Sequence, residues 1–151
     1  MHVHPQHSGD PFLPLPEIEL VAGKGIREDI RYFNRKSKSS GQPTKRQVTL
    51  IEREQIREHS EAFGIAIIEP GVVRSNIETT GIPLQHLVGY EIQVGEAVVF
   101  LYEPRTPCHQ MERIHPGLQQ RMKDGKQGVL AQVIRSGHVR VGDPIKALRK
   151  I

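Results

Sequence analysis

Between Tyr90 and Tyr102 the chain carries two apolar runs, Tyr90–Val94 and Ala97–Tyr102, joined by Gly95-Glu96. Glycine at the first central position of a two-residue connection suits a type II′ turn, so this stretch predicts a tight β-hairpin. Short runs ended by Gly or Pro continue on both sides of it. Glu17–Ala22 alternates acidic and apolar residues and reads as a strand, and Gln47–Ile51 reads as a second. Glu52–Phe63 predicts a helix with Ile56 and Phe63 on one face and Gly64 as its stop. After the apolar run Ile65–Ile68, Pro70-Gly71 turns the chain into a strand over Val72–Thr79. Leu118–Met122 reads as a short helix between Pro116 and Gly125. Val129–Arg135 and His138–Val141 predict a second hairpin around Ser136-Gly137, and Gly142-Asp143-Pro144 leads into a last strand, Ile145–Leu148. The expected fold is mainly β, a closed or nearly closed β-barrel with two or three short helices.

A length of 151 residues fits one domain, large enough to bury an adequate core without staples. Aromatics make up only 5% and Trp is absent, so the core must rest on Val, Ile and Leu. Residues 1–16 hold Pro5, Pro11, Pro14 and Pro16, which oppose a helix or a central strand. They are expected as a flexible N-terminal tail, and 17–151 as the barrel domain. His2, His4 and His7 in that tail have the composition of a transition-metal tract or of an adventitious one.

One cysteine rules out an intrachain disulfide and fits a reducing compartment. The start lacks the basic and apolar regions of a secretory signal, and no stretch approaches the ~20 apolar residues of a membrane helix. The expectation is a cytoplasmic chain with no membrane association. A net charge of +4 suits anionic partners but is too small to predict nucleic acid, which asks for clustered cations with stacking aromatics. The densest basic run holds Arg31, Arg35, Lys36, Lys38, Lys45 and Arg46, interleaved with Ser37, Ser39, Ser40, Gly41 and Pro43. It reads either as a solvated loop or as a phosphate-attracting lid over a site.

The chemistry concentrates in Glu103-Pro104-Arg105-Thr106-Pro107-Cys108-His109. Two prolines end regular pairing and place Cys108 on a stiff loop at the end of a strand. Arg105 and His109, if close in space, would lower the thiol pKa and favour the thiolate, which attacks and binds soft metals. The plain alternative is a buried cysteine acting as a small apolar group. No zinc set, nucleophile elbow, Walker loop or dinucleotide fingerprint is present. Gly23-Lys24-Gly25 reads as a turn that could lie near a phosphate.

Several stretches together resemble the MOSC family, named for the C-terminal domain of molybdenum cofactor sulfurase. They are Gly23-Lys24-Gly25-Ile26 with Asp29, Arg46–Ile51, Pro70-Gly71, Arg74–Ile82, Gly95-Glu96-Ala97, Pro104–Cys108, Gly128 and Val139–Asp143. The resemblance implies a barrel similar to that of pyruvate kinase. It also implies that Cys108 matches the family's cysteine, proposed to carry sulfur or to ligate molybdenum. The early motif departs from the family pattern. Gly25-Ile26-Arg27-Glu28-Asp29-Ile30-Arg31-Tyr32 lacks the second Gly, so Arg31 either replaces the usual Arg one step late or that contact is gone.

The resemblance leaves three functions open. The first is a molybdenum-cofactor-dependent oxidoreductase, reducing N-hydroxylated compounds with separate electron-transfer partners. The second is a sulfur carrier or cofactor-delivery module with a Cys108 persulfide, served by a sulfur-donor protein. The third is a non-catalytic binding domain. The domain that uses pyridoxal phosphate in the sulfurase is not expected in this chain. The expected site has Cys108 as the reactive group and metal ligand. Arg74, Asn76 and Arg105 line one cleft with it and receive molybdopterin, with Lys24 and Arg46 at the edge; Arg74 and Asn76 are placed on one strand face by their spacing.

Overall fold

The computed structural model describes residues 1–151. Its main sheet contains β5 (Val48–Glu52), β6 (Ile77–Thr79), β7 (Tyr90–Val94), β8 (Ala97–Pro104), β9 (Val129–Arg135) and β11 (Ile145–Lys150). The strand order is β11-β7-β8-β9-β5-β6, antiparallel except for the parallel pair β5/β6. A second sheet joins β10 (Gly137–Arg140), β3 (Glu17–Val21) and β4 (Gly25–Ile26). A small hairpin pairs β1 (His2–Val3) with β2 (Leu13–Pro14).

The expected closed or nearly closed barrel is corrected: the fold is mainly β, as expected, but the six strands curl into a half-barrel that ends at β11 and β6. The path after β9 also differs from the expectation. The hairpin expected around Ser136-Gly137 does not form, because β10 crosses to pair with β3. Gly137 permits the crossing, since a Cβ there would lie 2.5 Å from the Glu96 carbonyl carbon. Ser136 secures it by accepting the Ala22 N–H at 2.8 Å. The β7–β8 hairpin forms as the sequence predicts, with Val94 opposite Ala97.

Ile18 and Leu20 alternate with more exposed residues along β3 and face the main core beside Leu50, Ile92, Val99 and Leu101. Strand β5 is buried on both faces. Val48 and Leu50 point into that core, while Ile51 points into a second one under helix α1 (Arg53–Phe63). The second core holds Ile56, Val73, Met111, Leu118 and Met122, with Cys108 and Phe63 against its margin. Met111 lies on a short 3-10 turn over His109–Arg113, and Leu118 begins α2 (Leu118–Arg121).

Residues 1–16, expected as a tail outside the barrel, contribute to the core: Val3 and Phe12 are buried, and the His2 N–H donates to Asn76 O at 2.7 Å. The expected strand Val72–Thr79 shrinks to Ile77–Thr79, because Arg74 adopts φ 62° and breaks the extended backbone. No helix is long and apolar enough to cross a membrane.

Candidate functional site

Strand β8 runs directly into the cysteine loop. Pro104 still opposes Val129, and the Arg105 N–H donates to Gly128 O at 3.0 Å. Cys108 then keeps an extended backbone at φ −96°, and its carbonyl accepts from Met111 N at 3.1 Å. Its thiol is free and half-buried.

The Arg105 side chain turns inward and is only 6% exposed. Its Nη1 donates to Arg74 O at 3.0 Å and to Ser75 Oγ at 3.1 Å. Nε and Nη2 donate to no protein atom, and no carboxylate pairs with the group. Burial, and then the positive charge of Arg46, push its pKa down to about 10 against the opposing pull of Cys108 and Tyr32. A buried cation without a counter-charge is costly, and an anionic ligand relieves that cost.

Arg74 reaches the same place by a different route. Its guanidinium lies 4.5 Å over the Phe12 ring and donates to Asp10 O at 3.0 Å. Burial lowers its pKa, with Cys108 acting in the opposite direction. On the other wall, Asp29 builds a turn by accepting the N–H groups of Arg31 and Tyr32 at 3.2 and 3.1 Å. Its second oxygen accepts the His4 N–H at 3.1 Å and lies 2.7 Å from His4 Nδ1. Burial alone would raise the Asp29 pKa, but these hydrogen bonds and the His4 charge hold it below the usual carboxylate value. The His4 ring stacks on Tyr32 with centroids 4.2 Å apart.

These walls enclose a cavity of about 210 Å³. Arg31, Arg46, Arg74 and Arg105 line it together with Cys108, Thr106, Gln110, Tyr32, Phe12, His4 and Ser8, and no carboxylate does. A second cavity, of about 550 Å³, lies across the cysteine loop and shares Arg105 and Thr106 with the first. The donor set is selective for anions and offers one soft sulfur.

Of the residues expected from sequence, Cys108, Arg74, Arg105 and Arg46 meet in the first cavity. Lys24 and Asn76 do not line it. Lys24 is exposed on the turn after β3. Asn76 is buried, and its amide is occupied: Oδ1 accepts from Thr49 N and Thr49 Oγ1, and Nδ2 donates to His2 O. The strand-face argument that joined Arg74 to Asn76 fails because Arg74 is not on a strand. His109 is exposed and lines neither cavity. The three tail histidines do not converge: His2 is buried, His4 pairs with Asp29 and His7 is exposed. No group of three or more His, Cys, Asp or Glu residues could hold a metal ion.

Arg31 lines the cavity, so the altered early motif still delivers a cation there. Glu28, where the family pattern has glycine, accepts the Glu19 N–H at 2.7 Å. Sequence reasoning missed His4, Phe12 and Tyr32 as site residues. The first two lie in a proline-rich segment whose pattern gives no sign of folding over a cleft.

The model of the MOSC domain matches residues 7–146. The chain belongs to the MOSC domain family. This family is associated with binding of the molybdenum cofactor. Among solved structures, the chain is similar to the YuaD protein of Bacillus subtilis, with a TM-score of 0.75 and 22% identity over 95% of this chain and 90% of that one. It is similar to YiiM of Escherichia coli, with a TM-score of 0.68 and 21% identity over 96% of this chain and 68% of that one. YiiM of Geobacillus stearothermophilus gives 0.68 and 17%, over 92% and 64%. At these identities the likeness is one of fold. No curated protein matches the chain.

Proposed function

We propose that this MOSC domain binds the molybdenum cofactor in the arginine-lined cavity, with the pterin phosphate on Arg105 and Arg74 and the Cys108 thiol as the protein ligand to the metal. The observation that carries this reading is the Arg105 guanidinium, 6% exposed, with no carboxylate partner and two nitrogens that no protein atom accepts from. The residues present fit the group. A phosphate monoester near neutral pH carries close to two negative charges, which suit a buried planar fork flanked by Arg46 and Arg31. A thiol beside these cations suits a soft metal. Bound there, the cofactor would supply two-electron chemistry, and the family resemblance points to reduction of N-hydroxylated compounds with separate electron-transfer partners.

The protein's own part is to bind and orient. Pro104 and Pro107 hold Arg105 and Cys108 at a fixed separation along the loop, and the Arg74 and Ser75 acceptors fix the guanidinium plane. Phe12, Tyr32 and the His4 ring pack against one another in the cavity wall, and Arg74 lies over Phe12, so the rings fix where the cations stand.

The test is metal and pterin analysis of protein purified from a molybdenum-replete host. Wild type is expected to carry both in near-equal amounts. Arg105→Lys is expected to lose most of the pterin, about 10-fold, because a lysine cannot form the two-point contact. Cys108→Ser is expected to lose molybdenum more than pterin. Wild-type protein free of both, or full pterin retention in Arg105→Lys, would sink the proposal.

A further inference from the structure

The basic run 31–46 is neither a loose loop nor paired with acids. Ser37 N donates to Gln42 O at 2.8 Å, Gly41 N to Ser37 O at 2.9 Å and Thr44 N to Arg35 O at 2.9 Å, with Lys36 and Pro43 bridged. The segment is therefore a short hairpin-like prong. It holds six of the chain's 21 Lys and Arg residues and no Asp or Glu. The remainder of the chain has 15 cations against 17 acids, so the whole positive excess of the molecule resides in this prong. None of the six enters a salt bridge. Both ends of the prong, Arg31 and Arg46, line the Cys108 cavity. At its base Ile30 is 69% exposed.

We propose that the prong, with Ile30 at its base, is a docking site for an acidic protein whose carboxylate face seats over the mouth of the Cys108 cavity. Four exposed cations at the prong, Arg35, Lys36, Lys38 and Lys45, steer and orient such a face. The internal hydrogen bonds keep the prong in shape before binding, which lowers the entropy lost on association. Ile30 supplies an apolar contact of the kind a protein interface buries among its charges. Nucleic acid fits less well. The aromatics of the run are already covered, Tyr32 by His4 and by Arg35 at 4.7 Å, and Phe33 by Arg27 at 5.5 Å, so none is free for base stacking. A membrane surface fits less well too, because the tip consists of Lys38, Ser39, Ser40, Gly41 and Gln42, with no apolar side chain to insert. The position beside Cys108 rests on the cofactor reading; the docking itself does not.

The test uses the full chain and an acidic flavodoxin as probe, with binding measured by calorimetry at ~0.01 M and ~0.15 M salt. Short single-stranded DNA and phosphatidylserine vesicles serve as competing probes. A saturable one-to-one complex with flavodoxin is expected, weakening as salt rises. The triple variant Lys36→Glu, Lys38→Glu, Lys45→Glu, which leaves the cavity lining intact, is expected to raise Kd at least ~10-fold. Ile30→Ser is expected to raise it about 5-fold without changing the salt dependence. Pterin content is measured on the same variants and is expected to stay at the wild-type level. No saturable complex, an unchanged Kd in the triple variant, or tighter binding to DNA or vesicles than to flavodoxin would overturn the proposal. Pterin missing from wild type while docking persists would overturn only the cofactor reading.

Discussion

Asn76 uses its whole amide inside the fold. It holds Thr49 on β5 and the carbonyl of His2 on β1 in one buried knot, closed by its own N–H donating to Thr49 Oγ1 at 2.9 Å. Asn76→Ala leaves the Thr49 N–H and the His2 carbonyl without partners, and each lost partner costs ~1–3 kcal/mol, so the variant should be destabilised by about 3 kcal/mol in urea unfolding. A variant that kept its stability and lost only pterin would return the amide to the cavity. The sequence shows a polar residue among apolar neighbours that needs a partner if buried. It does not show which partner, because Thr49 and His2 lie 27 and 74 positions away. Arg74 was legible as a cavity cation only by its place in the family pattern. Its φ of 62° is a conformation that non-glycine residues rarely adopt and that no local pattern announces.

Among the elements, those set by local signals were legible and those set by distant packing were not. The β7–β8 hairpin follows from its two turn residues, and α1 ends at Gly64, which takes φ 64°. The crossing of β10 to β3 depends on contact with Glu96, which the turn chemistry of Ser136-Gly137 does not encode. Gly128 shows how one position ties elements together. Its N–H donates to Gln55 of α1 at 2.8 Å, and its carbonyl accepts from Arg105 N and from Gln85 Nε2 at 3.0 and 2.9 Å. A Cβ there would sit 2.1 Å from Leu50 O at φ 72°. Gly128→Ala must displace β5 or the cysteine loop, so a loss of about 4 kcal/mol or more is expected in urea unfolding. Pterin retention should fall with it, because the same carbonyl anchors Arg105. A stability change under about 1 kcal/mol would show that β5 yields without cost.

On the scale of the whole molecule, the N-terminal segment and the prong form two walls of one cavity, and Asp29 joins them. It orders the start of the prong through Arg31 and Tyr32 and fastens the segment through His4. Its carboxyl is held below its ordinary value of 3.8 because, although burial works the other way, the His4 contacts and the Tyr32 N–H favour the ionised form. A folded pKa below the unfolded one adds stability that is complete above the unfolded value and disappears as pH falls through the folded value. The Asp29 contribution should therefore be present above about 4 and be lost as pH falls below it. Acid also unfolds the chain by protonating other carboxylates, and that effect is common to wild type and variant. The informative quantity is then the difference in urea midpoint between wild type and Asp29→Asn. It should favour wild type at pH 7 and shrink towards zero below pH 3.8. In Asp29→Asn at neutral pH, proteolysis should cut between His4 and Phe12 sooner than in wild type, since the fastening of the segment to the cavity wall is weakened. A midpoint difference that did not change with pH would mean that Asp29 acts through turn geometry alone and that its charge does not hold the two walls together.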